Sequence, residues 1–304
     1  MKIIKDNCFQ LNNDSAVVIG KFDGIHRGHR ELLDRIIAKK NRGLDAVVFT
    51  FDKSPAELFT GKKIPSLTTL EEKRRIFEFL GVDVLIEYPL TNETASIDPK
   101  DYITNILCKQ CNMKYIAAGT DLSFGHMGKG DAKLVQEMAL EYGYEAEIVD
   151  KILIDNDEVS SSLIRDVVAS GDMLRAKELI GVPYAVSGIV SHGRKLGREM
   201  GFPTVNIEVP EEKLVPPYGV YFAEVSVEGR HFNGITNIGC KPTVTDSKQV
   251  YAETNILDFA EDVYGKRITV KLLHFSRPEQ KFSSVDELKN RISIDMEECR
   301  KYFT

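Results

Sequence analysis

Residues 20–29 read Gly-Lys-Phe-Asp-Gly-Ile-His-Arg-Gly-His, which places two histidines and three glycines in one short stretch. His26 and His29 stand three apart, so their ring N–H groups can address the same anionic oxygens. Gly20, Gly24 and Gly28 leave the backbone bare for close approach, with Phe22 and Asp23 between them. This is chemistry for a phosphate group, although histidines at a helix start also serve as plain caps. A second candidate is Ser160, Ser161 and Ser162 followed by Arg165. It offers hydroxyls, backbone N–H groups and a guanidinium to an anion, or in its simplest form an N-cap. Further on, Thr204 and Asn206 are two apart and face one way on a strand, where their hard oxygens suit magnesium and its phosphates. Gly193, Lys195 and Gly197 belong to a glycine-flanked basic stretch suited to covering phosphates, or to an ordinary charged turn.

Positioning these residues requires regular elements. Ala16-Val17-Val18-Ile19 reads as a buried strand, and Leu32, Leu33, Ile36 and Ile37 recur at helical spacing. Residues 20–29 are therefore a strand-to-helix turn, where free N–H groups and the helix dipole favour anions. Further strands are expected at 46–51, 82–88, 115–118 and 147–149. Helices are expected from Thr68-Thr69-Leu70-Glu71-Glu72, which has capping-box character, with Ile76, Phe77 and Leu80 inward, from Asp98-Pro99, and over 132–142 up to Gly143. Such alternation predicts a doubly wound parallel sheet with helices on both faces. Its ligands bind beyond the carboxyl ends of the strands, where loops 20–29, 119–131 and 160–165 fall. After about residue 181 short strands follow one another, at 184–191, 204–209, 220–227, 234–238, 253–257 and 268–275. With no helix between them they predict an antiparallel β-barrel or sandwich. Ser284-x-x-Glu287 opens a closing helix whose stripe of Val285, Leu288, Ile292, Met296, Cys299 and Phe303 is expected to pack on it. The fold class is thus α/β followed by an antiparallel barrel, with domains at 1–181 and 182–304.

Composition narrows the function. A chain of 304 residues, 42% hydrophobic and 28% charged, has room for two globular cores. No stretch reaches the length of a membrane span and the start lacks the apolar core of a signal peptide, so a cytoplasmic location without membrane contact is expected. A net charge of −6 argues against nucleic acid as a partner. Five scattered cysteines form no disulfide framework, and Cys108-x-x-Cys111 lacks a second pair to complete a metal site. The expected state is a monomer or weak homo-oligomer acting on small molecules.

His-x-Gly-His at a strand–turn–helix junction resembles the phosphate-binding signature of the nucleotidyltransferase superfamily. Phe22-Asp23-Gly24 before it narrows the resemblance to flavin adenylyltransferases. From about residue 17 to 300 the chain resembles the prokaryotic bifunctional riboflavin kinase/FMN adenylyltransferase (FAD synthetase) family. Six motifs in order carry this: residues 22–29, 119–125 (Gly-Thr-Asp-Leu-Ser-Phe-Gly), 160–165, 201–206 (Gly-Phe-Pro-Thr-Val-Asn), Asn237-Ile-Gly239 with Pro242-Thr243, and 253–259 (Glu-Thr-Asn-Ile-Leu-Asp-Phe).

The resemblance implies that the first half makes FAD from FMN and ATP, and that the second phosphorylates riboflavin to FMN, both with Mg2+. It also implies roles: His26 and His29 on the triphosphate, the serines and Arg165 on the leaving group, Asp121, Phe124 and Arg277 near flavin, and Glu253 as general base for the ribityl hydroxyl. Three departures stand out: Val205 for the usual alanine, Lys53-Ser54-Pro55 for Pro-His-Pro, and Asn255 where histidine is frequent. A riboflavin kinase with a weak or re-specialised adenylyltransferase half, and a non-catalytic flavin binder, remain as alternatives.

Overall fold

The computed structural model describes residues 1–191, 202–242 and 248–304. Contacts divide the chain into Met1–Ser161 and Ser162–Thr304. The first unit is built on β1 (Lys2–Ile4), β2 (Ser15–Ile19), β3 (Asp45–Phe51), β4 (Val84–Tyr88), β5 (Met113–Gly119) and β6 (Glu145–Val149). Every pairing is parallel, in the order β1-β4-β3-β2-β5-β6. The central strands are apolar throughout because both faces are buried. Val17, Ile19, Val47, Phe49 and Ile86 enter one core, and Ala16, Val18, Val48, Leu85 and Ala117 the other. Sequence order reverses at β2, so the crevice between the carboxyl ends of β2 and β5 is the sheet's switch point. Three-residue β1 lies outside the expected strands, being too short to show a period.

Helices α1 (Arg27–Ala38), α2 (Pro55–Thr60), α3 (Leu70–Leu80), α4 (Pro99–Asp101) and α5 (Ala132–Tyr142) connect these strands. The capping box of α3 is formed: the Thr69 hydroxyl accepts from the Glu72 N–H at 3.2 Å, and the Glu72 carboxylate accepts from the Thr69 N–H at 2.9 Å. Asp98 caps α4 as expected, but from Tyr102 to Gln110 the helix widens to π spacing. That segment buries Tyr102, Ile103, Ile106 and Leu107. Burial pushes the Cys108 thiol up to about 11 and the Cys111 thiol further, so both stay protonated and unreactive near neutrality. A small hairpin, β7 (Leu153–Ile154) and β8 (Asp157–Glu158), leads to α6 (Ser161–Ser170) and α7 (Met173–Ile180).

In the second unit, β9 (Ala185–Ser191), β10 (Val205–Glu208), β11 (Gly219–Val227), β12 (Arg230–Pro242), β13 (Lys248–Ile256) and β14 (Arg267–Pro278) form a closed barrel. Its order is β10-β13-β12-β11-β14-β9, every pair antiparallel. Glu228 and Gly229 both take positive φ, the turn chemistry a two-residue hairpin requires. Tyr221, Ala223, Val225 and Val227 alternate along β11 as fully buried side chains. In the same register Thr236 and Thr254 share a hydrogen bond of 2.9 Å, both buried. Helix α8 (Val285–Tyr302) seats Cys299, Met296 and Phe303 against Val220, Phe222, Ile235 and Leu257. The stripe engages through its later half, while Val285 stays 60% exposed.

Arg277, which the resemblance sets near flavin, is bound to the closing helix. Its guanidinium donates to the Asp295 carboxylate of α8 at 2.6 and 3.0 Å, and Arg291 donates to the same group at 2.7 Å. Asp295 is 2% exposed, and a buried carboxylate without such donors is strongly disfavoured. Arg277 therefore anchors the closing helix. Arg277→Met is expected to destabilise the barrel by about 2 kcal/mol in urea unfolding, softened because Arg291 remains. An unchanged midpoint would show the pair to be incidental.

Candidate active sites

The turn at the switch point is held in an unusual backbone. Phe22 (φ 49°), Gly24 (φ 86°) and Ile25 (φ 39°) all lie in the left-handed region. Only Gly24 takes it without steric penalty, and a β-branched residue such as Ile25 rarely does. Strain of ~1–3 kcal/mol per residue is typical of such positions and persists only where neighbours enforce it. Those neighbours are visible here. The Asp23 carboxylate accepts from the Thr68 N–H at 3.1 Å, and the Asp23 carbonyl accepts from the Ser161 hydroxyl at 2.8 Å. A Cβ on Gly24 would lie 2.9 Å from Leu67 Cδ1, so the turn rests directly on the segment that opens α3. Gly20 is bound to β3, its N–H donating to the Phe49 carbonyl at 3.1 Å, and a Cβ there would press on the Phe22 ring.

His26 is the N-cap of α1, its Nδ1 accepting from the His29 N–H at 3.4 Å. That acceptance assigns the proton of His26 to Nε2. The two imidazoles stack with centroids 3.8 Å apart and planes at 24°, and His29 leans on Phe22 at 5.0 Å. Gly28 is bare because a Cβ would come 3.3 Å from the His26 ring. His29 Nδ1 is buried with no hydrogen-bond partner among the described residues. Burial pulls His26 down to about 4, against the raising pull of Asp121 and Asp23. Burial, with His26 and Lys73 nearby, holds His29 well below the ordinary histidine value. The pair is therefore neutral near pH 7, so the imidazoles offer N–H donors without a net charge. Positive potential comes instead from the start of α1 and from Lys73, whose ammonium donates to the Lys21 carbonyl at 2.9 Å.

The other expected residues of this half are placed unequally. Ser160 and Ser161 are half-buried and Ser162 is exposed. Arg165 follows one turn later on α6. Asp121 is exposed beyond β5, 3.8 Å from Lys151. Phe124 is 3% exposed, packs on Tyr102 at 5.4 Å and sits in a two-hydrogen-bond bridge with Gly130. Its ring belongs to the core cluster on one face of the sheet. Ser54 caps α2 by accepting from the Glu57 N–H at 3.1 Å, which gives the departing Lys53-Ser54-Pro55 sequence a local structural purpose.

In the barrel, Asn206 of β10, Glu253 of β13 and Asn237 of β12 stand directly opposite one another. Directly opposed residues share a face, so a half-buried carboxylate is flanked by two amides. Val205 pairs with Thr254, on the face opposite to Asn206. Thr204, Val205 and Asn206 line a cavity of about 380 Å³ together with Pro203, Phe259 and Tyr264. Asn237 donates to Glu279 at 3.0 Å, and a Cβ on Gly239 would collide with that carboxylate. Asn237 becomes adjacent to Glu253 only through barrel register, and Glu279 is tied to it through Asn237, so spacing alone gave neither a role. The one local signal was Gly239 in the Asn237-Ile-Gly239 motif. Gly193, Lys195 and Gly197, with the rest of 192–201, lie outside the described residues, as does Thr243.

Comparison with known proteins agrees with this division of labour. A family model described as FAD synthetase matches residues 8–163, and one described as riboflavin kinase matches 180–303, so the chain is a two-part flavin-cofactor enzyme by class. It is 37% identical over 309 residues to the bifunctional riboflavin kinase/FMN adenylyltransferase of Escherichia coli strain K12, covering 100% of this chain and 98% of that protein. The Bacillus subtilis strain 168 protein of the same name is 36% identical over 296 residues, covering 95% and 93%. This chain belongs to the bifunctional riboflavin kinase/FMN adenylyltransferase family. The crystal structure of a macrolide-efflux protein from Streptococcus pneumoniae matches with TM-score 0.83 at 30% identity over 98% of both chains. Efflux is said of that protein alone; among the described residues here, no helix is long and apolar enough to cross a membrane.

Neutral buried imidazoles set a pH dependence. A folded-state value near 4, below the unfolded 6.5, means that the native state binds fewer protons between those values. Stability from His26 is therefore complete above about pH 6.5 and declines as pH falls toward 4. The rate of FAD formation from FMN is expected to show no step between pH 6 and 8 that His26→Gln removes. A histidine-dependent step centred near 6.5 would contradict the neutral pair.

Proposed function

We propose that the α/β half, residues 1–181, transfers the adenylyl group of ATP to FMN, and that the barrel, residues 182–304, phosphorylates riboflavin. The observation that carries the first assignment is the stacked imidazole pair at the switch point of a parallel sheet. The FMN phosphate is already an anion and needs no base. An oxygen of it attacks the α-phosphorus of ATP, and the bond to the pyrophosphate oxygen breaks. The difficulty is charge, so the protein's work is positioning and electrostatic stabilisation. His26 Nε2–H and His29 donate to triphosphate oxygens. The bare backbone of Gly20, Gly24 and Gly28 admits the phosphates, while Phe22 and Asp23 set the turn. Ser160, Ser161, Ser162 and Arg165 receive the departing pyrophosphate, and Asp121 lies toward the flavin side.

Riboflavin differs in needing proton removal. Glu253 accepts the ribityl hydroxyl proton as the oxygen attacks the γ-phosphorus, and ADP leaves. Asn206 and Asn237 flank the carboxylate and restrict its orientation. Thr204 and Asn206 present hard oxygens at the cavity, a set that suits Mg2+ carried in with ATP phosphates. Among the described residues no cluster of three His, Cys, Asp or Glu could hold an ion unaided. The ion supplies charge neutralisation of the phosphates when bound. Small-molecule partners, a cytoplasmic place of work and a monomeric or weakly associated state complete the reading, and the net charge of −6 is in keeping with nucleic acid having no part.

Incubation with riboflavin, ATP and magnesium is expected to yield FMN and then FAD, resolved by chromatography. FMN accumulating without FAD would instead favour a re-specialised first half. Glu253→Gln is expected to slow riboflavin phosphorylation by about 10²–10⁴-fold while supplied FMN is still converted. Replacing His26 and His29 by Ala should do the reverse. Loss of both activities in either variant would contradict two independent sites.

A further inference from the structure

The ladder between β10 and β13 pairs Asn206 with Glu253 and Val205 with Thr254, and there it stops. One step earlier Thr204 would face Asn255, but the chain has left the strand. The 380 Å³ cavity opens at this point, with Pro203 and Thr204 on one wall and Ile256 and Tyr264 on the other. Something must fix Pro203 and Thr204 once the backbone ladder no longer does. Asn255 supplies it: its Nδ2 donates to the Pro203 carbonyl at 2.7 Å. The side chain is 7% exposed, and its Oδ1 is buried with no hydrogen-bond partner among the described residues. An apolar residue would avoid that unmet acceptor, so the half-satisfied amide points to a need for its donor. Asn255 also lies two residues beyond Glu253, on the same face of the same strand.

We infer that Asn255 is a positioning residue for the riboflavin kinase reaction, tying the Pro203–Thr204 wall of the ATP cavity to the strand that carries Glu253. This rests on the barrel's assignment as the kinase. Its effect falls on nucleotide binding and not on proton removal, because the bond it makes is to the wall holding Thr204 and Asn206. A histidine ring N–H at this position can make the same donation.

The test is steady-state riboflavin phosphorylation by the full-length chain, with KM for Mg·ATP and kcat separated. Asn255→Leu removes the donor and is expected to raise that KM by roughly tenfold with kcat changed less than about threefold. Asn255→His is expected to restore KM. Conversion of supplied FMN to FAD by the same preparations should be unchanged. Should the Leu variant fail to fold, Asn255→Asp keeps the shape, abolishes the donor and should show the same rise. An unchanged KM, a loss confined to kcat, or a His variant as impaired as the Leu variant would overturn the inference. Glu253→Gln retaining full riboflavin phosphorylation would instead overturn the kinase assignment beneath it.

Discussion

The stacking of two uncharged imidazoles at 3.8 Å is the interaction on which the first half depends. Two imidazolium rings at that distance would repel, and burial disfavours the charge of either. Neutrality lets the rings stack, and stacking lets both face one turn. The cost is a backbone with Phe22 and Ile25 in the left-handed region, held there from below. Asp23 grips Thr68 and Ser161 grips Asp23, so the start of α3 and the start of α6 both brace the loop. A site made of fixed neutral donors and a helix dipole needs no reorganisation when a polyanion arrives, which is what electrostatic stabilisation of a transferring phosphorus group demands.

The barrel solves a different problem by register. Glu253, Asn206 and Asn237 are distant in sequence, and a slip of one residue in either neighbouring strand would turn a flanking amide to the other face. The paired hydroxyls of Thr236 and Thr254 and the filled interior around Tyr221 resist such a slip. Outside the wall, α8 is fastened by its apolar stripe and by the Asp295 carboxylate between Arg277 and Arg291.

Much of this was legible in sequence because the relevant signals are local. Continuous β-branched runs marked β2 to β5, the run from Thr68 to Glu72 marked a cap, and short runs without helices between them marked the barrel. The His26–His29 spacing marked the strand-to-helix turn, but not the charge state, which depends on burial and on the nearby charge of Lys73, distant in sequence. The tie of Arg277 to Asp295 was not legible, because Asp295 lies on an element whose docking no local pattern specifies. The packing of Phe124 on Tyr102 was not legible, because a motif names a residue type without saying which way the ring turns. The place of Asn237 beside Glu253 comes from strand pairing, and Glu279 joins it through its bond to Asn237, so neither contact was legible from spacing.

The most direct test of the account is nitrogen NMR of the histidine rings at pH 7, with and without ATP. The account predicts that His26 and His29 are both neutral, His26 with its proton on Nε2, and that ATP shifts these resonances. Imidazolium signals at that pH, or a pair indifferent to ATP, would contradict it.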